Sequence, residues 1–159
     1  MEMDGAEVRV RLATAADLEI LRSFEQGIVA AERPLDPTLR PDPLHYYDLE
    51  SLLENPHVDL MVAEHDGRLV GSGYARVEAS RPFVLPEYYA YLGLMYVDPA
   101  YRGQGINALI LEHLKVLVRA RGITELRLEV YAGNEPAIRA YEKAGFEKLL
   151  VWMRLEIEP

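Results

Sequence analysis

Between a strand-like apolar run, Tyr88 to Val97, and a run of helical pattern lies Asp98-Pro99-Ala100-Tyr101-Arg102-Gly103-Gln104-Gly105-Ile106-Asn107. A glycine-rich turn from a strand into a helix collects several backbone N–H groups at the positive end of the helix dipole, which suits it to hold a phosphate. Gly103 and Gly105 also lack the Cβ atoms that would keep a phosphate at a distance. The bland alternative is a tight strand-to-helix turn that binds nothing. Further along comes Asn134-Glu135-Pro136-Ala137-Ile138-Arg139-Ala140-Tyr141-Glu142-Lys143-Ala144-Gly145-Phe146. Asn134 suits an N-cap, Pro136 the first turn and Gly145 the C-terminal stop, so this stretch predicts a short helix with Tyr141 about two turns in.

Composition narrows the chemistry that such a turn could serve. The chain has 159 residues, of which 50% are hydrophobic and 27% charged, an ordinary globular balance expected to fill one domain over residues 1–159. It has no cysteine, so disulfides, thiolate metal sites and a cysteine nucleophile are excluded. His45, His57, His65 and His113 show no metal-ligand spacing, and no metal is expected. A net charge of −9 argues against nucleic acid, whose phosphates need clustered Lys and Arg. The same charge would steer cationic amines, or serve solubility alone. No apolar run approaches the roughly twenty residues of a membrane span, and Met1 to Gly5 lacks the features of a signal peptide. A soluble, cytoplasmic protein without membrane contact is expected, and a homodimer stays open.

The elements that must position the turn follow from periodicity. Glu7 to Leu12 alternates as a half-exposed strand, Thr14-Ala15-Ala16-Asp17 resembles a capping box, and Leu18, Leu21, Phe24 and Ile28 recur at helical spacing. Four prolines between Arg33 and Pro43 predict an ordered loop rather than a helix. Leu44 to Glu54 is loosely helical and stops at Asn55-Pro56. Val58 to Glu64 and Leu69 to Val77 flank Asp66-Gly67 as a hairpin, and Tyr88 to Val97 is the next strand. A helix spans Gln104 to Ala120, Glu125 to Tyr131 is a strand, a helix starts near Asn134, and Phe146 to Glu156 reads as a final strand. The order is β-α-α-β-β-β-α-β-α-β.

The phosphate turn and the Asn…Ala…Tyr…Gly-Phe helix, in this order, resemble the acetyl-CoA-binding core of the GNAT acetyltransferase superfamily. The resemblance covers nearly the whole chain and is strongest from Tyr91 to Phe146. It implies an α/β (α+β) fold with a mixed central sheet of about six to seven strands and helices on both faces. It also implies an acetyltransferase that moves the acetyl group of acetyl-CoA to a primary amine of a small molecule or peptide, by direct transfer in a ternary complex. A non-catalytic acyl-CoA sensor of the same fold is the alternative, and Tyr141 is the residue that a sensor would not need. A Rossmann-type dinucleotide site is excluded, because Gly103-Gln104-Gly105 lacks the third glycine and falls too late in the chain.

By the same resemblance, Arg102, Gly103, Gln104, Gly105, Ile106 and Asn107 take the phosphate-turn positions, with Asn107 standing where the family has Gly or Ala. Met95 and Val97 would pair with the pantetheine amides along a strand edge opened by a bulge, which Gly93 is placed to mark. The Leu94 N–H would polarise the thioester carbonyl. Asn134 would contact the pantetheine arm, and Tyr141 would be the acid that protonates the departing sulfur. Tyr141 as plain core packing is the alternative. For the base, Glu129 matches the spacing found in acetyltransferases of protein N-terminal amines. Glu64, Glu87, Tyr91 and a water chain remain open beside it. Tyr88, Tyr89, Tyr91 and Tyr96 either line an acceptor pocket or reflect strand propensity.

Overall fold

Alternating apolar residues form strands where the period-2 pattern predicts them, and the strands assemble into one sheet. A computed structural model describes residues 1–3 and 6–159. In it, β1 (Glu2–Met3), β2 (Ala6–Leu12), β3 (Val58–His65), β4 (Arg68–Ala79), β5 (Tyr88–Val97) and β6 (Leu126–Arg127) lie side by side in chain order. Neighbours are antiparallel except β5 and β6, which run parallel. Asp66 and Gly67 close the β3–β4 hairpin with φ of 51° and 73°, the left-handed pair for which Asp-Gly is suited. The helices are α1 (Leu18–Glu32), α2 (Leu49–Glu54), α3 (Ile106–Ala120) and α4 (Glu135–Lys143). The chain divides into two units, residues 1–129 and 130–159, with α4 in the second.

In the first unit the helices cover both faces of the sheet, as expected. Leu60, Val62, Tyr74 and Leu94 pack with Leu21 and Phe24 of α1 and Leu49 and Leu52 of α2. Full burial of each large side chain there contributes roughly 1.5–3 kcal/mol. On the opposite face α3 comes close to the β4 backbone. An added Cβ would meet Ile110 at 3.2 Å from Gly71 and at 3.1 Å from Gly73, so the missing side chains set the depth of this contact.

Three elements differ from the periodic expectation. The helix expected over Leu44 to Glu54 begins only at Leu49. The backbone N–H groups of Tyr46 and Tyr47 both donate to Glu25 Oε2, at 3.0 and 2.8 Å, and Asp48 then caps α2 by accepting from the Ser51 N–H at 3.0 Å. A carboxylate from α1 thus holds these residues outside the helix. The strand expected over Glu125 to Tyr131 is reduced to Leu126–Arg127, because only Ala90 and Tyr91 of β5 pair with it. Phe146 to Glu156, read as a last strand, has no regular secondary structure. A strand exists only through its ladder bonds, which side-chain alternation alone does not supply. Arg33–Leu35 adds a single 3₁₀ turn at the start of the proline-rich loop.

The start of α1 is tied to the sheet by a buried charge. Asp17 accepts two bonds from Arg11, at 2.8 and 3.0 Å, and one from the Thr14 N–H at 2.8 Å. The Arg11 guanidinium holds the Asp17 carboxyl below the usual carboxylate range, against the opposing effect of burial. A depressed carboxylate stabilises the fold above the unfolded value of about 3.9 and loses that contribution as pH falls through the folded value. Asp17→Asn should therefore lower the Tm by several degrees at neutral pH. Thermal melts of the two proteins should draw together as pH falls through the folded value of Asp17.

Candidate active site

The turn before α3 is built to leave amides unpaired. Asp98 accepts from the Ala100 N–H at 2.9 Å and starts a 3₁₀ turn over Pro99–Tyr101. The chain then passes through Gly103 and Gly105 at φ of 74° and 84°, a left-handed conformation that glycine adopts without strain. No side chain caps α3, whereas α2 and α4 are capped by Asp48 and Asn134. The first N–H groups of a helix have no partner within it, so those of Ile106 and Asn107 are open at the positive end of α3. Buried Ile106 anchors this end of α3, and Asn107 lies in the first turn. The Arg102 side chain folds back, its Nε donating to the Val97 carbonyl at 3.1 Å, and Gln104 reaches the Ala100 carbonyl at 3.4 Å.

The glycines are also required by the fold of the turn. A Cβ at Gly103 would meet nothing within 4 Å, and one at Gly105 only Met1 Sδ at 3.7 Å. Within the chain itself, backbone conformation rather than room requires them.

Beside the turn, β5 carries the expected bulge, centred one residue later than Gly93. Tyr74 pairs with Gly93 and Ser72 with Tyr96, so Gly73 faces two residues, Leu94 and Met95. Leu94 takes φ of 52°, a conformation that a leucine holds only where its surroundings impose it. Its side chain is fully buried, and Ser72 Oγ donates to its carbonyl at 2.8 Å. Gly93 has its own role, since any Cβ there would overlap the buried Tyr74 ring.

The bulge also shifts the hydrogen-bonding phase of the strand. The Ala90 N–H donates to the Glu125 carbonyl on the β6 side, and the Asp98 N–H donates to the Val70 carbonyl on the β4 side, both at 2.9 Å. Alternation from each end therefore turns the N–H groups of Leu92 and Leu94, and then of Met95 and Val97, toward the β6 side. Pairing with β6 has ended by then. The result is two consecutive amides, Leu94 and Met95, aimed away from the ladder.

The Leu94 amide has a partner that periodicity did not reveal. It donates to the hydroxyl of Tyr47, at 3.2 Å. Tyr47 precedes α2, stacks edge-on against Tyr74 at 5.9 Å and borders a cavity of about 210 Å³ lined also by Tyr46, Asp48, Ser51 and Arg76. Burial keeps its phenol protonated, well above the ordinary tyrosine range. Tyr91 lies nearby with Arg76 5.6 Å from its ring, and burial together with the Glu129 carboxylate pushes its hydroxyl up to about 12. The one advance signal was Glu25, an acid four residues after Leu21 and three before Ile28 on the apolar stripe of α1. It is 1% exposed.

The other acidic and tyrosine candidates are spread out. Glu129 is exposed and neighbours Tyr91. Glu64 is paired with Arg11 at 3.2 Å on the wall of a second cavity, and Glu87 is exposed in the loop before β5. Tyr96 stacks on Phe24 of α1 at 4.7 Å, Tyr89 lies under Arg127 at 4.0 Å, and Tyr88 is exposed, so the four tyrosines do not line one pocket.

In the second unit Asn134 caps α4, its Oδ1 accepting from the Ala137 N–H at 3.4 Å. Tyr141 meets Phe146 edge-on at 5.6 Å. The Phe146 N–H closes back on the Tyr141 carbonyl at 3.0 Å, and Gly145 takes φ of 98° to end the helix.

An uncapped helix start beside a bulged, half-unpaired strand can accept a diphosphate and an extended amide chain. The acetyltransferase (GNAT) family model matches residues 25–146. The N-alpha-acetyltransferase RimI of Mycobacterium tuberculosis is 31% identical over 150 residues, 94% of this chain and 84% of that protein. Mycothiol acetyltransferase of Thermomonospora curvata is 33% identical over 119 residues, 70% of this chain, and the match spans only 36% of that longer protein. A predicted acetyltransferase of Clostridium acetobutylicum, solved with acetyl-CoA, has the same fold at a TM-score of 0.73 and 21% identity, covering 94% of this chain and 96% of its own. The chain thus belongs to the acetyltransferase (GNAT) family.

Proposed function

We propose that the chain transfers the acetyl group of acetyl-CoA directly to the α-amine of a peptide within a ternary complex. The observation that carries the peptide assignment is the likeness to an N-alpha-acetyltransferase along 94% of this chain. A net charge of −9 adds a field that draws in a protonated amine. The family match at residues 25–146 runs through both units, which supports one functional domain over 1–159. No helix among the described residues is long and apolar enough to cross a membrane.

When bound, acetyl-CoA supplies an activated acyl group and a thiolate leaving group. Amides of residues 102–107 hold the pyrophosphate, with the α3 dipole adding to their attraction. Met95 and Val97 pair with the pantetheine amides as a neighbouring strand would, and Asn134 contacts the same arm. The Leu94 N–H polarises the acyl carbonyl, a fixed dipole placed where negative charge develops. Tyr141 protonates the departing sulfur, and Glu129 relays the amine proton outward.

The direct test measures release of the CoA thiol with peptides bearing free N-termini, free amino acids, polyamines and other small amines. Peptides are expected to react fastest. Turnover confined to small amines would overturn the peptide assignment and leave the acetyltransferase chemistry intact.

Glu129 yields a separate expectation. Because it is exposed, Glu129→Gln should cost about tenfold in kcat/KM, less than the 10²–10⁴ of a well-placed acid or base. The loss should show on the acidic limb of the pH–rate profile, because glutamine offers no proton-accepting group to shape it. An unchanged limb in a pH–rate comparison would remove Glu129 from the proton path.

A further inference from the structure

One buried arrangement in the first unit is not used by the chemistry above. Tyr47 lies far from Leu94 in sequence, yet its hydroxyl oxygen accepts the Leu94 N–H at 3.2 Å. The loop that delivers it is held rather than merely packed. Glu25 Oε2 receives the N–H groups of Tyr46 and Tyr47 at 3.0 and 2.8 Å, and Glu25 Oε1 lies 3.0 Å from His45 Nδ1. A carboxylate that is 1% exposed is costly to bury, and three backbone or ring partners around it offset that cost. The outcome of that expense is a single position for residues 45–47, and with it a single position for the phenol.

The phenol oxygen has one acceptor role filled by Leu94, and it keeps its proton, because burial raises the Tyr47 pKa above the ordinary range. An acyl carbonyl oxygen that shares the Leu94 N–H with the phenol, about 2.9 Å from the nitrogen and about 60° away from the hydroxyl that lies 3.2 Å from it, would sit about 3 Å from that hydroxyl, within hydrogen-bond reach. Tyr47 can then donate its proton to the same oxygen.

We infer that Tyr47 is a catalytic residue that completes a two-donor site for the acyl carbonyl, and that Glu25 is the positioning residue that fixes it there. The inference rests on the proposed role of the Leu94 N–H. A phenol donor beside an amide donor doubles the fixed positive dipoles facing the oxygen as it becomes negative. Removal of one such donor costs about 10²–10³ in kcat. Two functions follow for one side chain: it satisfies a buried amide while no carbonyl is present, and it shares that carbonyl once one arrives.

The test uses the full chain and acetyl-CoA labelled with ¹³C at the acetyl carbonyl. Infrared difference spectra without acceptor amine read the carbonyl stretch, which falls as hydrogen bonds to the oxygen strengthen. The wild type should shift the stretch below that of free acetyl-CoA. Tyr47→Phe, which keeps the ring in its contact with Tyr74, should return it partway, with unchanged calorimetric affinity for acetyl-CoA and kcat lower by about 10². A wild-type stretch equal to that of free acetyl-CoA would overturn the Leu94 reading and the inference with it. A wild-type shift fully retained in Tyr47→Phe, or tighter acetyl-CoA binding with unchanged kcat, would leave the Leu94 reading standing and reduce Tyr47 to a placeholder that the carbonyl displaces.

Glu25 is tested through its dependence on Tyr47. Glu25→Ala should reproduce the loss of Tyr47→Phe, and the double variant should be no slower than either single one, as for residues acting through one contact. Glu25→Gln keeps an oxygen for the two N–H groups and should retain most activity. Additive losses in the double variant, with melting curves showing that each protein is folded, would refute the positioning role.

Discussion

Tyr141→Phe is expected to lower turnover about 10²-fold while acetyl-CoA affinity holds, the signature of a group that acts in the chemical step rather than in binding. The substitution keeps the edge-on ring contact with Phe146 at 5.6 Å, which uses only carbon atoms. It also keeps the backbone bond from the Phe146 N–H to the Tyr141 carbonyl, so the end of α4 should survive intact. What disappears is one O–H. Single-turnover kinetics beside calorimetry separate the two quantities, and wild-type turnover in a folded variant would make Tyr141 a packing residue. Comparison with Tyr47→Phe is informative because the two hydroxyls are assigned to different atoms. Loss of the Tyr141 proton should respond to the basicity of the leaving thiol, whereas loss of Tyr47 should respond to the carbonyl.

Gly105→Val should weaken acetyl-CoA binding severely, by a route that the structure makes specific. Gly105 sits at φ of 84°, where a β-branched residue is strained and a β-carbon costs roughly 1–2 kcal/mol even in alanine. The space around it is open, so the variant is free to relax toward negative φ instead of unfolding. That relaxation re-aims the amides of residues 105–107 before any ligand arrives. Recovering the binding geometry then costs the strain again, about tenfold in affinity for each 1.4 kcal/mol. Gly105→Ala should lose about tenfold on this ground alone, and the valine more, because its branches also project beside the pyrophosphate. Calorimetry with acetyl-CoA and with CoA should show equal losses, since the acetyl group is remote from the turn. Unchanged affinity in a folded Gly105→Val protein would remove the phosphate turn from the site.

Much of this scaffold was legible in the chain before any coordinates. The Asp66-Gly67 hairpin, the glycine turn into α3 and the Asn134 cap with its Gly145 stop each depend on residues within a few positions of one another, and each formed as the local chemistry requires. Helical spacing likewise assigned Leu21 and Phe24 to the core, because one face of α1 can bury against only one sheet. A parallel β5–β6 neighbourhood was legible too, although its ladder ends at Tyr91.

Other features depend on partners that sequence spacing does not reveal. Glycine in a strand suggested that the bulge lay at Gly93, but the ladder places it at Leu94, where a leucine takes left-handed φ, while Gly93 makes room for the Tyr74 ring. Residues 44–48 have helical periodicity yet are not helical, because Glu25 from another element takes their amides in place of the i−4 carbonyls. Phe146 to Glu156 alternates like a strand without being one, since alternation describes faces and not partners. Nothing local marks Tyr47 within the loosely helical run from Leu44 to Glu54, and only the fold carries its hydroxyl to the Leu94 amide. Periodicity and capping are decided within a turn or a strand, whereas the pairing of buried polar groups is decided by which elements the core brings together.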